Sequence, residues 1–239
     1  MARRSGILSL VVGVVAATLA VHAAPELLPV TIETSVTGVQ SGAERIVSLF
    51  AVATGEVLDL EPRPPSVAIR NTPNLAYFDH RSGTIVLAHW PTLGPDLRGF
   101  FLGLADTAEE AGALFVGLFD QFLVAHEMGH WAQRGLGVKR DRYGAEREAN
   151  DLAVAFFRTV TDGELLLLDL RSRVAEALSR LADPTPADED EREFFNTQYA
   201  QLARNPAAYG YYQFRFILDS IDARESLDFK SLLRGMTEP

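Results

Sequence analysis

Residues 126–130 constrain the fold of this 239-residue chain more than any other segment. They read H-E-M-G-H, which is the H-E-x-x-H motif. On an α-helix, residues four apart lie on the same face, so both imidazoles can reach one metal ion. Tetrahedral Zn²⁺ accepts such a pair of nitrogens, and Glu127 then lies beside the ion without binding it. The motif therefore predicts a helix, a zinc site that includes His126 and His130, and a general base at Glu127.

A long apolar run precedes this motif. Residues 113–125 are apolar apart from Asp120 and Gln121, and Gly135 follows the motif. A helix that is apolar nearly all round is typical of a protein core, and this run is too short for a second membrane span. We therefore predict a buried helix over residues 107–134 that carries the motif near its C-terminal end.

A catalytic zinc site needs a third protein ligand, while water takes the fourth position. No histidine follows His130, which excludes the metzincin pattern. The downstream candidates are carboxylates at the start of the next predicted helix, residues 145–160. The residues alone leave both Glu146 and Glu148 open, and residues 135–144 supply the reversal that returns this helix to the first.

H-E-x-G-H followed by E-x-x-A-[D/N] resembles the gluzincin metallopeptidases. The resemblance implies that Glu146, the first residue of the second motif, is the third zinc ligand, and its offset favours it over Glu148. It also implies that Asn150 supports a ligand histidine from behind. Most gluzincins of the thermolysin-like and membrane-embedded types carry Asp at that position, and an amide accepts a histidine N–H more weakly than a carboxylate does. Asp151 is the residue that could compensate.

Residues 75–155 are similar to a bacterial family of secreted metallopeptidases. In that family a strand hairpin precedes the H-E-x-G-H helix, and a Glu-rich helix follows it. The resemblance implies a zincin-like fold, a peptide or protein substrate, and a bacterial source.

The first 23 residues read as a secretory signal peptide or an N-terminal anchor. Arg3 and Arg4 precede an apolar run of residues, and small residues follow it, ending at Ala23. The run is short for a spanning helix, although residues 5–22 would form a membrane tether if they are not removed. Both interpretations place residues 24–239 outside the cytoplasm.

Charge and cysteine content exclude several other functions. The chain has 32 acidic and 22 basic residues, which gives a formal net charge of −10. A basic nucleic-acid interface is therefore not expected. The chain contains no cysteine, which excludes disulfides, thiolate metal sites and cysteine nucleophiles.

We predict one α+β domain over residues 24–239. Strand patterns at residues 57–60 and 67–69, with a hairpin of residues 75–78 and 84–88, predict a small, mostly antiparallel sheet. A helix over residues 41–54, capped by Ser41, is predicted before the sheet. The other predicted helices span residues 107–134, 145–160, 164–181, 191–204, 207–222 and 226–234. Strands followed by a helical C-terminal half are typical of the α+β class.

Together these residues predict a zinc-dependent metalloprotease in which Glu127 takes a proton from water. One alternative is a non-catalytic envelope protein with a structural or vestigial zinc site, which would bind a partner through its helical half. Another is a metal-dependent hydrolase with a non-peptide substrate. An open coordination position separates catalytic from structural zinc sites. Four tyrosines are candidates for stabilising an oxyanion. They are Tyr143, Tyr209, Tyr211 and Tyr212.

Overall fold

A computed structural model describes residues 35–60 and 63–237. The predicted signal peptide or anchor, residues 1–23, lies outside these ranges. The described chain is mostly helical with a small mixed sheet, which confirms the α+β class. In chain order its elements are α1 (Val36–Gly55), β1 (Ser66–Ile69), β2 (Ala76–Asp79), β3 (Thr84–Leu87), α2 (Pro95–Leu102), α3 (Ala108–Phe115), α4 (Leu123–Gly135), α5 (Arg142–Phe157), α6 (Gly163–Ser179), α7 (Glu191–Leu202), α8 (Pro206–Asp222) and α9 (Phe229–Gly235).

The sheet has the strand order β1-β3-β2. The predicted hairpin is confirmed, since β2 pairs with β3 in the antiparallel direction. The prediction of a mostly antiparallel sheet is wrong for β1, which pairs with β3 in parallel. Strand β3 lies in the centre of the sheet because it is the most apolar of the three strands. Its residues Ile85, Val86 and Leu87 are all buried. Residues 57–60 were also predicted as a strand, but they form no strand pairing.

Helix α1 begins earlier than the sequence predicts. Ser35, rather than Ser41, caps it, because the Ser35 hydroxyl accepts a hydrogen bond from the Gly38 amide at 3.0 Å. The buried stripe of α1 includes Val39, which lies before Ser41. An apolar face that extends upstream makes the longer helix more favourable than a cap at residue 41.

Residues 108–135 form one continuous helical run, which confirms the buried helix predicted over residues 107–134. Its middle part, Val116–Phe122, is π-helical, and the sequence did not predict this. Helix α2 was also not predicted. Among the described residues, none of the helices has the length and apolar character needed to span a bilayer.

The helices of the C-terminal half match their predicted positions to within a few residues. Helix α5 lies between α4 and α8, and its own core residues are almost fully buried. At its far end, Phe156 packs against Phe50 of α1 and Phe229 of α9, with ring centroids 5.0 and 6.0 Å away. Phe50 and Phe229 also touch each other, edge to face. We call these three residues the phenylalanine cluster.

Candidate metal centre

Helices α4 and α5 approach each other closely at the motif. A Cβ added to Gly129 would lie 2.9 Å from the Ala149 Cα atom, which is inside normal contact distance. A glycine at this position therefore lets the two backbones meet. The close approach places Glu146, one turn before Asn150 on α5, opposite the two histidines of α4.

Three side chains form one compact group of metal-binding atoms. His126, His130 and Glu146 each offer a donor atom, and these atoms lie within 4.8 Å of one another. The two Nε2 atoms are 3.1 Å apart. Glu146 Oε2 lies 3.3 Å from His126 Nε2, and Oε1 lies 3.8 Å from His130 Nε2. Donors on one tetrahedral ion at about 2.1 Å would lie ~3.4 Å apart, so the group fits such an ion.

Each of the three donors is held by a carboxamide. Asn150 Oδ1 lies 2.9 Å from His126 Nδ1, and Gln133 Oε1 lies 2.8 Å from His130 Nδ1. The Gln213 amide donates to Glu146 Oε2 at 3.0 Å. A carboxamide oxygen accepts a hydrogen from Nδ1, which leaves the Nε2 atom of each ring directed at the centre.

Asn150 lies where the resemblance predicted it, behind His126, and it is fully buried. Its Nδ2 group has no hydrogen-bond partner among the described residues. Asp151 does not compensate, because its carboxylate accepts a hydrogen bond from Ser220 on α8 at 2.6 Å. Within the described part of the chain, the support for His126 Nδ1 therefore comes from a neutral amide.

Glu148, the competing ligand candidate, lies outside the donor group. Its Oε2 atom accepts a hydrogen bond from Gln133 Nε2 at 3.1 Å, and its Oε1 atom is 3.1 Å from Arg140. In residues 35–60 and 63–237, Glu148 thus reaches the centre through Gln133, which in turn holds His130.

Glu127 is buried beside the donor group but is not part of it. Its Oε2 atom accepts a hydrogen bond from the Phe78 main-chain amide of β2 at 2.8 Å. Burial raises the pKa of Glu127, and the nearby Glu146 raises it further, while the two histidines lower it. The fixed oxygen leaves the other carboxyl oxygen as the one that can exchange a proton.

The charges of the donor group strongly shift the pKa values of its own side chains. Burial lowers the pKa of His130, but the Glu146 carboxylate outweighs this and raises it to about 9. Burial alone would raise the pKa of Glu146, but hydrogen bonds and attraction from the two histidines lower it well below its usual range. A metal ion that binds here therefore replaces a proton shared between these side chains.

Comparison of the chain with models of protein families, with curated proteins and with solved structures gave no match. The donor set can hold a metal ion, and it contains two imidazole nitrogens and one carboxylate oxygen.

Of the four predicted tyrosines, Tyr209 is influenced by the charges of the centre. Burial raises its pKa well above the usual value, and the carboxylates of Glu146 and Glu127 contribute to the rise. Tyr143 instead donates to Glu191, Tyr212 pairs with Thr185, and Tyr211 interacts with Asp183. Sequence reasoning missed Tyr199, whose pKa burial and the same two carboxylates raise.

Sequence reasoning also missed the two glutamines. Gln133 lies three residues after His130, so it shares a helix face with that ligand, and this spacing is a usable signal. Gln213 lies on α8, and nothing in its local sequence connects it with α5. The Phe78 amide is likewise a main-chain group that no side-chain motif can reveal.

Proposed function

We propose that this protein is a zinc-dependent metallopeptidase of the gluzincin type, in a zincin-like fold. The observation that carries the proposal is a buried carboxylate, Glu127, that lies beside the three-donor group without joining it. A purely structural metal site has no use for such a group, whereas peptide hydrolysis needs a base at this position.

The donor set supports an open zinc site. Two imidazoles and one carboxylate are the ligands of several catalytic zinc centres, which keep their fourth position for water. Within residues 35–60 and 63–237, no further histidine or carboxylate joins these three donors. This supports a catalytic site over the closed site that the non-catalytic alternative requires.

Glu127 is suited to proton transfer. When bound, a zinc ion supplies Lewis acidity and lowers the pKa of coordinated water. Burial raises the pKa of Glu127 above its ordinary value, which makes its carboxylate a stronger base than an exposed one. The Phe78 amide holds one oxygen in place, so Glu127 takes the proton from water at its other oxygen and passes it to the leaving amine.

The position of β2 supports a peptide substrate. Strand β2 is at the edge of the sheet, and its residue Phe78 touches Glu127 directly. An extended peptide can align with an edge strand through main-chain hydrogen bonds, which would bring its backbone beside the base. We also propose an extracytoplasmic location, on the pattern of residues 1–23, and a bacterial source, on the resemblance of residues 75–155.

The test is a comparison of wild type with Glu127→Gln and His126→Ala. We expect Glu127→Gln to keep one zinc ion per chain and to lose turnover by at least ~10²-fold, because only proton transfer is removed. We expect His126→Ala to lose both the zinc ion and turnover. Elemental analysis measures the metal, and mass spectrometry of a peptide pool measures cleavage. An active Glu127→Gln enzyme would contradict the mechanism, and a wild type that holds zinc without cleaving any peptide would contradict the proposed activity.

A further inference from the structure

We propose that Arg142, stacked on Tyr199 and one helix turn before the candidate ligand Glu146, binds a carboxylate of the substrate. The substrates are then peptides with a carboxylate a few residues from the bond that is cleaved. This inference rests on the proposed function and adds a substrate class to it.

Arg142 lies close to the centre by helix geometry. It is the first residue of α5 and comes four residues before Glu146. Residues four apart share one helix face and lie ~6 Å apart along the axis. The Arg142 side chain therefore begins one turn from a candidate ligand, on the same side of α5.

Tyr199 fixes the direction of the Arg142 side chain. The guanidinium carbon lies 4.2 Å from the centre of the Tyr199 ring, which is a cation–π contact. Tyr199 in turn packs edge to face against Tyr209, with ring centroids 5.9 Å apart. Burial raises the pKa of both phenols, and the carboxylates of Glu146 and Glu127 add to this rise.

The charge of Arg142 is available to a ligand. Four other arginines on α5, on its preceding loop, or on α7 and α8 each pair with a carboxylate. These pairs are Arg140–Glu148, Arg147–Asp219, Arg192–Asp141 and Arg215–Glu191. Arg142 is exposed, and among the described residues it has no carboxylate partner. An unpaired arginine in this acidic neighbourhood is a local site for an anion.

Guanidinium chemistry defines the ligand. Its planar N–H groups match the two oxygens of a carboxylate, and stacking on an aromatic ring orients it in advance. The net charge of −10 and the carboxylates of the centre oppose anionic peptides in general. A carboxylate is therefore favoured only where it reaches Arg142. One helix turn plus the side chain corresponds to roughly two or three residues of extended peptide, at ~3.4 Å each.

The experiment measures peptide binding to zinc-loaded Glu127→Gln protein, in which cleavage does not interfere. The probes are dansylated alanine-based hexapeptides in which one Glu moves through the six positions, with Gln at the same positions as the matched set. Each peptide is made as free acid and as amide, which separates a side-chain carboxylate from a C-terminal one. The added variants are Arg142→Gln, Arg142→Lys and, as control, Arg234→Gln. Arg234 is an exposed arginine of α9, which packs against the far end of α5.

We expect one carboxylate position to strengthen binding at least ten-fold. Arg142→Gln should abolish this preference at unchanged zinc content, Arg142→Lys should retain part of it, and Arg234→Gln should leave it intact. A preference that survives in Arg142→Gln overturns the inference, as does the absence of any carboxylate preference or of any binding. Wild-type cleavage of the same peptides is measured separately. If the peptides are cleaved with no carboxylate preference, the role of Arg142 is contradicted and the peptidase function stands. If an Arg142-dependent binding preference is found without cleavage, the peptidase function is contradicted and the role of Arg142 stands.

Discussion

At the scale of single residues, the candidate ligand His130 is held by a chain of side chains. Arg140 contacts Glu148, Glu148 accepts from Gln133, and the Gln133 oxygen lies at hydrogen-bond distance from His130. The Gln133 amide nitrogen also donates to the Ala145 carbonyl at 2.9 Å, so this residue connects α4 with α5. Glu148 therefore influences the centre without touching an ion.

The contacts around the centre predict two different effects on metal binding. Glu146→Ala should abolish tight zinc binding because it removes a donor. Glu148→Ala and Gln133→Leu should weaken it by about 10–100-fold, since partners that orient a ligand are worth that much. Competition with a chromophoric chelator measures the affinities.

The matched control for Glu148→Ala is Glu164→Ala on α6. Glu164 also accepts a hydrogen bond from an arginine, Arg224, at 2.7 Å, but it takes no part in the donor group. Its substitution should leave zinc affinity unchanged. If Glu148→Ala removes zinc completely and Glu146→Ala does not, Glu148 is the ligand and our assignment is wrong.

At the scale of elements, the contact between α4 and α5 depends on Gly129. Alanine is ordinarily better than glycine inside a helix by ~1 kcal/mol. At Gly129 the added Cβ would lie 2.9–3.2 Å from three atoms of Ala149, two of them in the backbone. We expect Gly129→Ala to lower the free energy of unfolding by about 1–3 kcal/mol, because the helices must move apart.

Gly42 of α1 is the matched control, because a Cβ there meets no atom within 4 Å. Gly42→Ala should raise the free energy of unfolding by about 0.5–1 kcal/mol. Urea denaturation of both variants in the metal-free state measures the difference. Stabilisation by Gly129→Ala would show that the two helices are not in tight contact.

Local patterns predict elements well where the pattern itself determines the structure. The apolar run before His126 gives a buried helix, and the apolar residues on either side of Gly83 give a hairpin. The pairing of β1 depends instead on which strand takes the centre of the sheet, a choice between distant segments. No local sequence pattern predicts the π-helical segment Val116–Phe122. Ser41 is an acceptable N-cap residue, but the apolar face of α1 extends upstream of it and favours a longer helix that begins after Ser35.

At the scale of the whole molecule, one buried acid makes stability depend on pH. Asp120 lies in the π-helical turn, and its Oδ1 atom is buried without a hydrogen-bond partner among the described residues. Burial raises the pKa of Asp120 to about 7, from 3.8. The folded state therefore binds the proton more tightly than the unfolded state, and stability falls as pH rises between these two values.

Asp120→Asn should remove the loss of folding stability that Asp120 causes as pH rises. The shift corresponds to at most about 4 kcal/mol, and partial exposure of the residue reduces our expectation to about 2 kcal/mol. Relative to wild type, the variant should gain more stability at pH 8 than at pH 5, where roughly a third of the loss has developed. Urea denaturation at the two pH values measures this, with the exposed Asp188→Asn as control. An equal effect at both pH values would contradict a raised pKa.

The candidate site was predictable only in its local part. His126, Glu127 and His130 follow from one motif, and the resemblance identified Glu146 and Asn150. Gln213, Tyr199 and the Phe78 amide lie on elements far from α4 and α5 in sequence. Their positions follow from the packing of α7, α8 and β2 on the centre, which no spacing rule encodes.

The phenylalanine cluster has a consequence in polymer terms. It joins residue 50 to residue 229 through Phe156 of α5, and so closes almost the whole described chain into one loop. The entropy cost of closing a loop grows only logarithmically, by ~0.6 kcal/mol for each doubling of its length. The free energy gained by burying three phenylalanine rings is several times larger than this entropy cost. The far end of the helix that carries Glu146 is therefore anchored from both ends of the described chain, at an entropic cost that hardly depends on how long the intervening segments are.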